Sequence, residues 1–122
     1  MRTLCIQVQP MRASNLDLKR LRTLSKELAR ERSLVRRFRI IQGVDGIPFL
    51  NLMFATDDVR ALWQRIRSLL YKDETIGAHL RQASMTVCEG EDGWDDYLLL
   101  HHFDAKVEID KLKVRRKREP KR

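Results

Sequence analysis

Disulfide chemistry has almost nothing to work with in this chain of 122 residues, which holds two cysteines, Cys5 and Cys88. Two are too few for a disulfide scaffold, and their spacing is not that of a metal finger, so free thiols in a reducing compartment are expected. Long apolar runs are missing too. Nothing approaches the roughly 20 consecutive apolar residues that a membrane span needs. The opening MRTLCIQVQP has one Arg, a short alternating run and no small-residue cleavage site, so it does not read as a signal peptide. A cytoplasmic protein with no membrane partner is the expectation. No internal repeat, no Gly-rich phosphate loop and no heptad series is present, so no cofactor is implied.

What the chain does have is 43% apolar and 34% charged residues, enough for one hydrophobic core under a well-solvated surface. The net charge of +8 is unevenly spread. Residues 1–39 carry +8, residues 40–110 carry −7, and residues 111–122 carry +7. The expected organisation is a single α+β domain over 1–110 and a basic, disordered C-terminal tail over 111–122.

Leu4, Ile6 and Val8 alternate on one side of a first strand that Pro10 stops. Ser14 or Asn15 can cap a helix running to about Glu31, with Leu18, Leu21, Leu24 and Leu28 as its apolar stripe. A hairpin over Arg36–Phe54 follows. A three-residue loop, Val44-Asp45-Gly46, would pair Ile40 with Leu50 and Phe38 with Leu52, leaving the left-handed position to Gly46. Thr56-Asp57-Asp58 opens a second helix with the stripe Val59, Leu62, Trp63, Ile66, Leu69 and Leu70. After a short helical turn, Ser84–Glu91 and Trp94–Phe103 form a second hairpin about Asp92-Gly93. The order β-α-β-β-α-β-β describes an antiparallel sheet with two main helices on one face, most simply a ferredoxin-like sandwich with an added strand.

The stretch Cys88–Asp104 gathers acids and histidines, which raises the question of a metal site or an acid–base pair. On a strand, Asp96 and His102 are six residues apart, roughly 20 Å at ~3.3 Å per residue, so the acids and the histidines cannot share an ion. His102 and Asp104 share a face and are the minimal metal candidates, although no metal is expected. For catalysis, the two-residue turn sets Ser84 opposite His101 with Tyr97 nearby. A Ser–His contact without a placed acid or oxyanion donor is a thin basis for an enzyme.

The same register puts Cys5, Thr86 and Cys88 on the outer sheet face with Ile41, Phe49, Met53, Tyr97 and Leu99. So apolar a face marks a contact. The first reading is therefore a small interaction or ligand-binding module, homodimeric through this face, for which the oppositely charged segments are suited. The second is a nucleic-acid-associated accessory protein. Arg37 and Arg39 would lie beside aromatic rings, and tail residues such as Arg115, Arg116, Lys117 and Arg118 would bind any polyanion nonspecifically. The strand Ile47-Pro-Phe-Leu-Asn-Leu-Met-Phe54 lacks the glycines and the opening basic residue of the RNA-recognition signature. The third is a small enzyme with its site on the open face.

Overall fold

The computed structural model describes residues 1–90 and 93–112, and the backbone alone for residues 93–95. The elements run β1 (Arg2–Val8), a 3₁₀ turn (Pro10–Arg12), α1 (Leu18–Ala29), β2 (Arg37–Asp45), β3 (Ile47–Thr56) and α2 (Val59–Ile66). A π-helical segment (Arg67–Tyr71) extends α2, followed by α3 (Gly77–Ala83), β4 (Ser84–Gly90) and β5 (Gly93–His101). The architecture is α+β, with a five-stranded antiparallel sheet in the order β2-β3-β1-β4-β5. Among the described residues, no helix is long and apolar enough to cross a membrane.

The core lies between one face of this sheet and the helices. Leu4, Ile6 and Val8 of β1 and Leu50, Leu52 and Phe54 of β3 meet Leu21 and Leu28 of α1 and Leu62 and Ile66 of α2 in one buried cluster. Each fully buried aliphatic side chain adds about 1.5–3 kcal/mol of transfer free energy. Helix starts follow the acids. Asp17, rather than Ser14 or Asn15, caps α1 by accepting the Arg20 N–H at 3.0 Å. Asp58 caps α2 by accepting the Ala61 N–H at 3.0 Å. The last turn of α2 loosens into the π segment, where the Lys72 N–H reaches the Arg67 carbonyl at 2.9 Å.

The first hairpin keeps its expected faces but not its register. Ile40 pairs with Leu52 and Phe38 with Phe54, two residues along from the expected partners, and pairing continues to Asp45 and Ile47 around Gly46 at φ 74°. A shift of two preserves the side each residue faces. It also brings the Phe38 and Phe54 rings to 4.8 Å between centroids.

The second hairpin differs by one residue, and there the faces change. Cys88 pairs with Leu98 and Val87 with Leu99, where the expected Asp92-Gly93 turn would give Tyr97 and Leu98; an irregularity between Glu89 and Gly90 separates this register from the Gly90–Gly93 pair, and residues 91–92 lie outside the described residues. On its other side β4 sets Ser84, Thr86 and Cys88 opposite the inward Val8, Ile6 and Leu4 of β1. Ser84, Thr86 and Cys88 are therefore buried on the helix side, while Met85 and Val87 take the outer face. A bulge between Thr86 and Val87 pairs Thr86 with His101, and both Leu100 and His101 lie on the helix side. After β5, residues 106–110 form no strand. Asp110 instead clamps the edge of β5, its N–H donating to the Leu99 carbonyl at 2.7 Å and its carboxylate accepting the Leu99 N–H at 2.8 Å.

Candidate functional site

Two surfaces carry the chemistry, one on each side of the sheet. The outer face presents Cys5, Phe49, Met53, Met85, Val87 and Leu99, all half-buried, beside Ile41 at 36% and Tyr97 at 52% exposure. The Phe49 ring lies across Gly43, where an added Cβ would stand 2.7 Å from Phe49 Cζ. Arg37 and Arg39 are exposed on the edge strand β2, and Glu89 stands opposite Tyr97 at the other end of the sheet. Arg37 pairs with Ala55 and Arg39 with Met53, so Phe49 is not the direct neighbour of either guanidinium.

Several expected groupings come apart. Cys5 lies opposite Val87, and Cys88 opposite Leu4, so the thiols point to opposite sides of the sheet. Burial pushes each up to about 11, and both stay protonated at neutral pH. Ser84, His101 and Tyr97 do not form a cluster. Tyr97 is on the outer face, and His101 pairs with Thr86 and donates from Nε2 to the Arg81 carbonyl at 2.9 Å. Ser84 gives its proton to the Leu80 carbonyl at 2.5 Å and accepts from the Tyr71 hydroxyl at 2.8 Å. A serine so held has no base beside it. His102 Nδ1 accepts the Asp104 N–H at 3.0 Å, and the Asp104 carboxylate accepts the Lys106 N–H at 2.9 Å, which closes a turn. Among the described residues no group of three or more His, Cys, Asp and Glu side chains is placed to hold a metal. Arg115, Arg116, Lys117 and Arg118 lie outside the described residues.

The second surface is a cleft of about 580 Å³ on the helix side. Arg60, Trp63 and Gln64 reach it from α2 and Arg67 from the start of the π segment, at helical steps of three and four, and Tyr71 and Lys72 continue the wall. Arg81, His101, Asp110, Lys111 and Leu112 complete the lining. Its aromatic groups touch in series. Trp63 meets Tyr71 edge-on at 5.7 Å, and Tyr71 meets His101 at 4.8 Å. The Arg67 guanidinium lies 5.6 Å from the Trp63 ring centre. Burial lowers the His101 pKa from its ordinary value; the Arg81 carbonyl opposes this, the charges of His102 and Arg81 add to it, and the ring is neutral at pH 7. Carbonyl acceptance fixes the proton on Nε2.

No family model, curated protein or solved structure matches this chain.

The cleft was open to sequence reading in one respect. Arg60, Trp63, Arg67 and Tyr71 recur at helical spacing, but Trp63 also fits the apolar stripe and reads as core. Arg81, His101 and the segment around Asp110 come together only through the β5 bulge and the clamp on Leu99, which no local pattern announces.

Proposed function

We propose that the protein is a small interaction module that forms a homodimer through the outer face of its sheet. The carrying observation is the composition of that face, on which Met85 and Val87 join Cys5, Ile41, Phe49, Met53, Tyr97 and Leu99. The arrangement is read as ferredoxin-like, with β4-β1-β3-β2 as the four-stranded unit and β5 as the added edge strand.

Charge supports a second copy as the occupant. β1 is the central strand, with basic β2 at one edge and β4 and β5, bearing Glu89 and Tyr97, at the other. A two-fold axis parallel to β1 and between two facing sheets sets β2 of one copy over β5 of the other. Arg37 and Arg39 would then meet Tyr97 and Glu89, and the contact is self-complementary, as two-fold symmetry requires. Five strands about 4.8 Å apart and about seven residues long make a footprint roughly 24 Å by 23 Å, whose relief approaches the ~800 Å² per partner of a stable interface. Two separated, protonated thiols suit a cytoplasmic setting.

Sedimentation of the full chain at tens of micromolar tests this reading. The expected mass is twice 14.5 kDa. Tyr97→Glu and Met53→Glu should each give a monomer with an unchanged circular dichroism spectrum. A wild-type monomer, or dimers that survive both changes, would remove the proposal.

A further inference from the structure

The cleft against α2 lies on the opposite side of the sheet from the proposed dimer face, and its chemistry is independent of dimerisation. Among the described residues five cationic side chains line it, those of Arg60, Arg67, Lys72, Arg81 and Lys111, against one carboxylate, Asp110. That carboxylate already accepts the Leu99 N–H. Among the described residues none of the five cations forms an ion pair; the arginines that do, Arg20, Arg36 and Arg65, all lie elsewhere. Like charges gathered around so little counter-charge repel one another, and the arrangement persists at less cost when an anion completes it.

The anion is constrained by the remaining lining. Trp63 and His101 present half-buried rings to the cleft, angled against the buried Tyr71 behind them, with a neutral imidazole where a simple anion site would hold another cation. An aromatic wall beside a cationic rim suits a ligand that is planar and apolar in one part and multiply anionic in another. A nucleobase with its phosphates has this form, and base–aromatic stacking beside a positive groove is how single strands are held without sequence preference.

We infer that this cleft binds single-stranded nucleic acid, one base against the Trp63 wall and its flanking phosphates on Arg60, Arg67 and Lys111.

Titrating the full-length protein against a fluorescein-labelled ten-nucleotide oligouridine, by anisotropy over a salt series, is the test. Wild type should bind, quench tryptophan fluorescence, and weaken linearly in log–log salt dependence. Arg67→Glu and Lys111→Glu should each weaken binding about tenfold or more, whereas Lys26→Glu, on exposed α1, should leave it within about twofold. A full-length variant with Arg115, Arg116, Lys117 and Arg118 changed to Gln should bind more weakly with a shallower salt slope, yet remain sensitive to Arg67→Glu. Trp63→Phe, with an unchanged spectrum, should abolish the quench and weaken binding. Absence of binding, binding indifferent to Arg67→Glu and Lys111→Glu, or equal affinity for a duplex would each overturn the inference. Displacement by free uridine monophosphate as effectively as by the unlabelled strand would overturn it in favour of a free nucleotide.

Discussion

The Tyr71 hydroxyl and Thr86 Oγ1 lie 2.8 Å apart inside the core, and the direction of the bond follows from its neighbours. Ser84 has one hydroxyl proton, which the Leu80 carbonyl takes. Ser84 must therefore accept from Tyr71, and Tyr71, its own proton spent, must accept from Thr86. The chain Thr86 to Tyr71 to Ser84 to Leu80 ties the end of the π segment to β4 through polar groups that have no water to fall back on. Burial pushes the Tyr71 phenol up to about 12, so it remains a donor across the working range of pH.

Removing that hydroxyl leaves the oxygen of Ser84 without its donor from Tyr71 and the proton of Thr86 without its acceptor. Tyr71→Phe should lower stability by about 1–3 kcal/mol, measured by denaturant unfolding. Thr86→Val removes only one partner, and with both changes present the combined loss should fall short of the sum of the two. Strict additivity would show that the chain is not coupled as drawn.

His101 gives the fold a pH dependence of defined sign. Its pKa is lowered from 6.5, mainly by burial, so below about pH 6.5 the unfolded chain takes up a proton that the folded ring resists. Its contribution is complete above that pH and is lost as pH falls beneath it. Melting temperature should decline between pH 6.5 and pH 5 in the wild type. The decline should be shallower in His101→Gln, which keeps a donor for the Arg81 carbonyl. Parallel pH profiles for the two proteins would contradict the assignment.

The strands and main helices were legible because their signals are local. Leu4, Ile6 and Val8 alternate, and Leu62 and Ile66 recur at helical spacing, whatever the remainder of the chain does. The face of β4 was not legible, because it depends on a one-residue register offset past the irregularity between Glu89 and Gly90, and Ser84, Thr86 and Cys88 are no less plausible outside than Met85 and Val87. Two distant partners decide it. β1 aligns Ser84, Thr86 and Cys88 with its own inward residues, and Tyr71 supplies the hydrogen bonds that make two hydroxyls acceptable in a core. The bulge at Thr86 then returns His101 to the helix side, which moves it from the face expected for catalysis to the wall of a basic cleft.

Gly77 and Gly46 should respond to alanine for different reasons. A Cβ on Gly77 would stand 2.5 Å from the Tyr71 carbonyl oxygen, and backbone cannot move aside as a side-chain tip can. Gly46 has open space around it but a φ of +74°, so its penalty is conformational alone, about 1–2 kcal/mol. Gly77→Ala should cost at least as much, about 1–3 kcal/mol, and should also disturb the Tyr71 hydrogen bonds, because the displaced carbonyl belongs to the same residue. A Gly77→Ala protein melting within a degree of wild type would mean that the approach to Tyr71 is not close.

Asp73 joins elements far apart in the chain and should dominate the acid response. Its carboxylate receives Nε and Nη2 of Arg20 at 3.0 and 2.7 Å, and the N–H groups of Thr75 and Ile76 at 3.0 Å each. The Arg20 hydrogen bonds, helped by those two backbone donors, hold its pKa well below 3.8. The stabilisation is present above that value and is lost as pH falls further, since the unfolded carboxyl protonates first. Asp73→Asn keeps one acceptor oxygen but no charge. It should lower the neutral-pH melting temperature by roughly 3–6 °C and flatten the stability profile below about pH 4. Arg20→Gln should give a smaller loss at neutral pH, because the contacts to Thr75 and Ile76 persist. Equal losses in the two variants would place the stabilisation in the ion pair rather than in the turn that leads into α3.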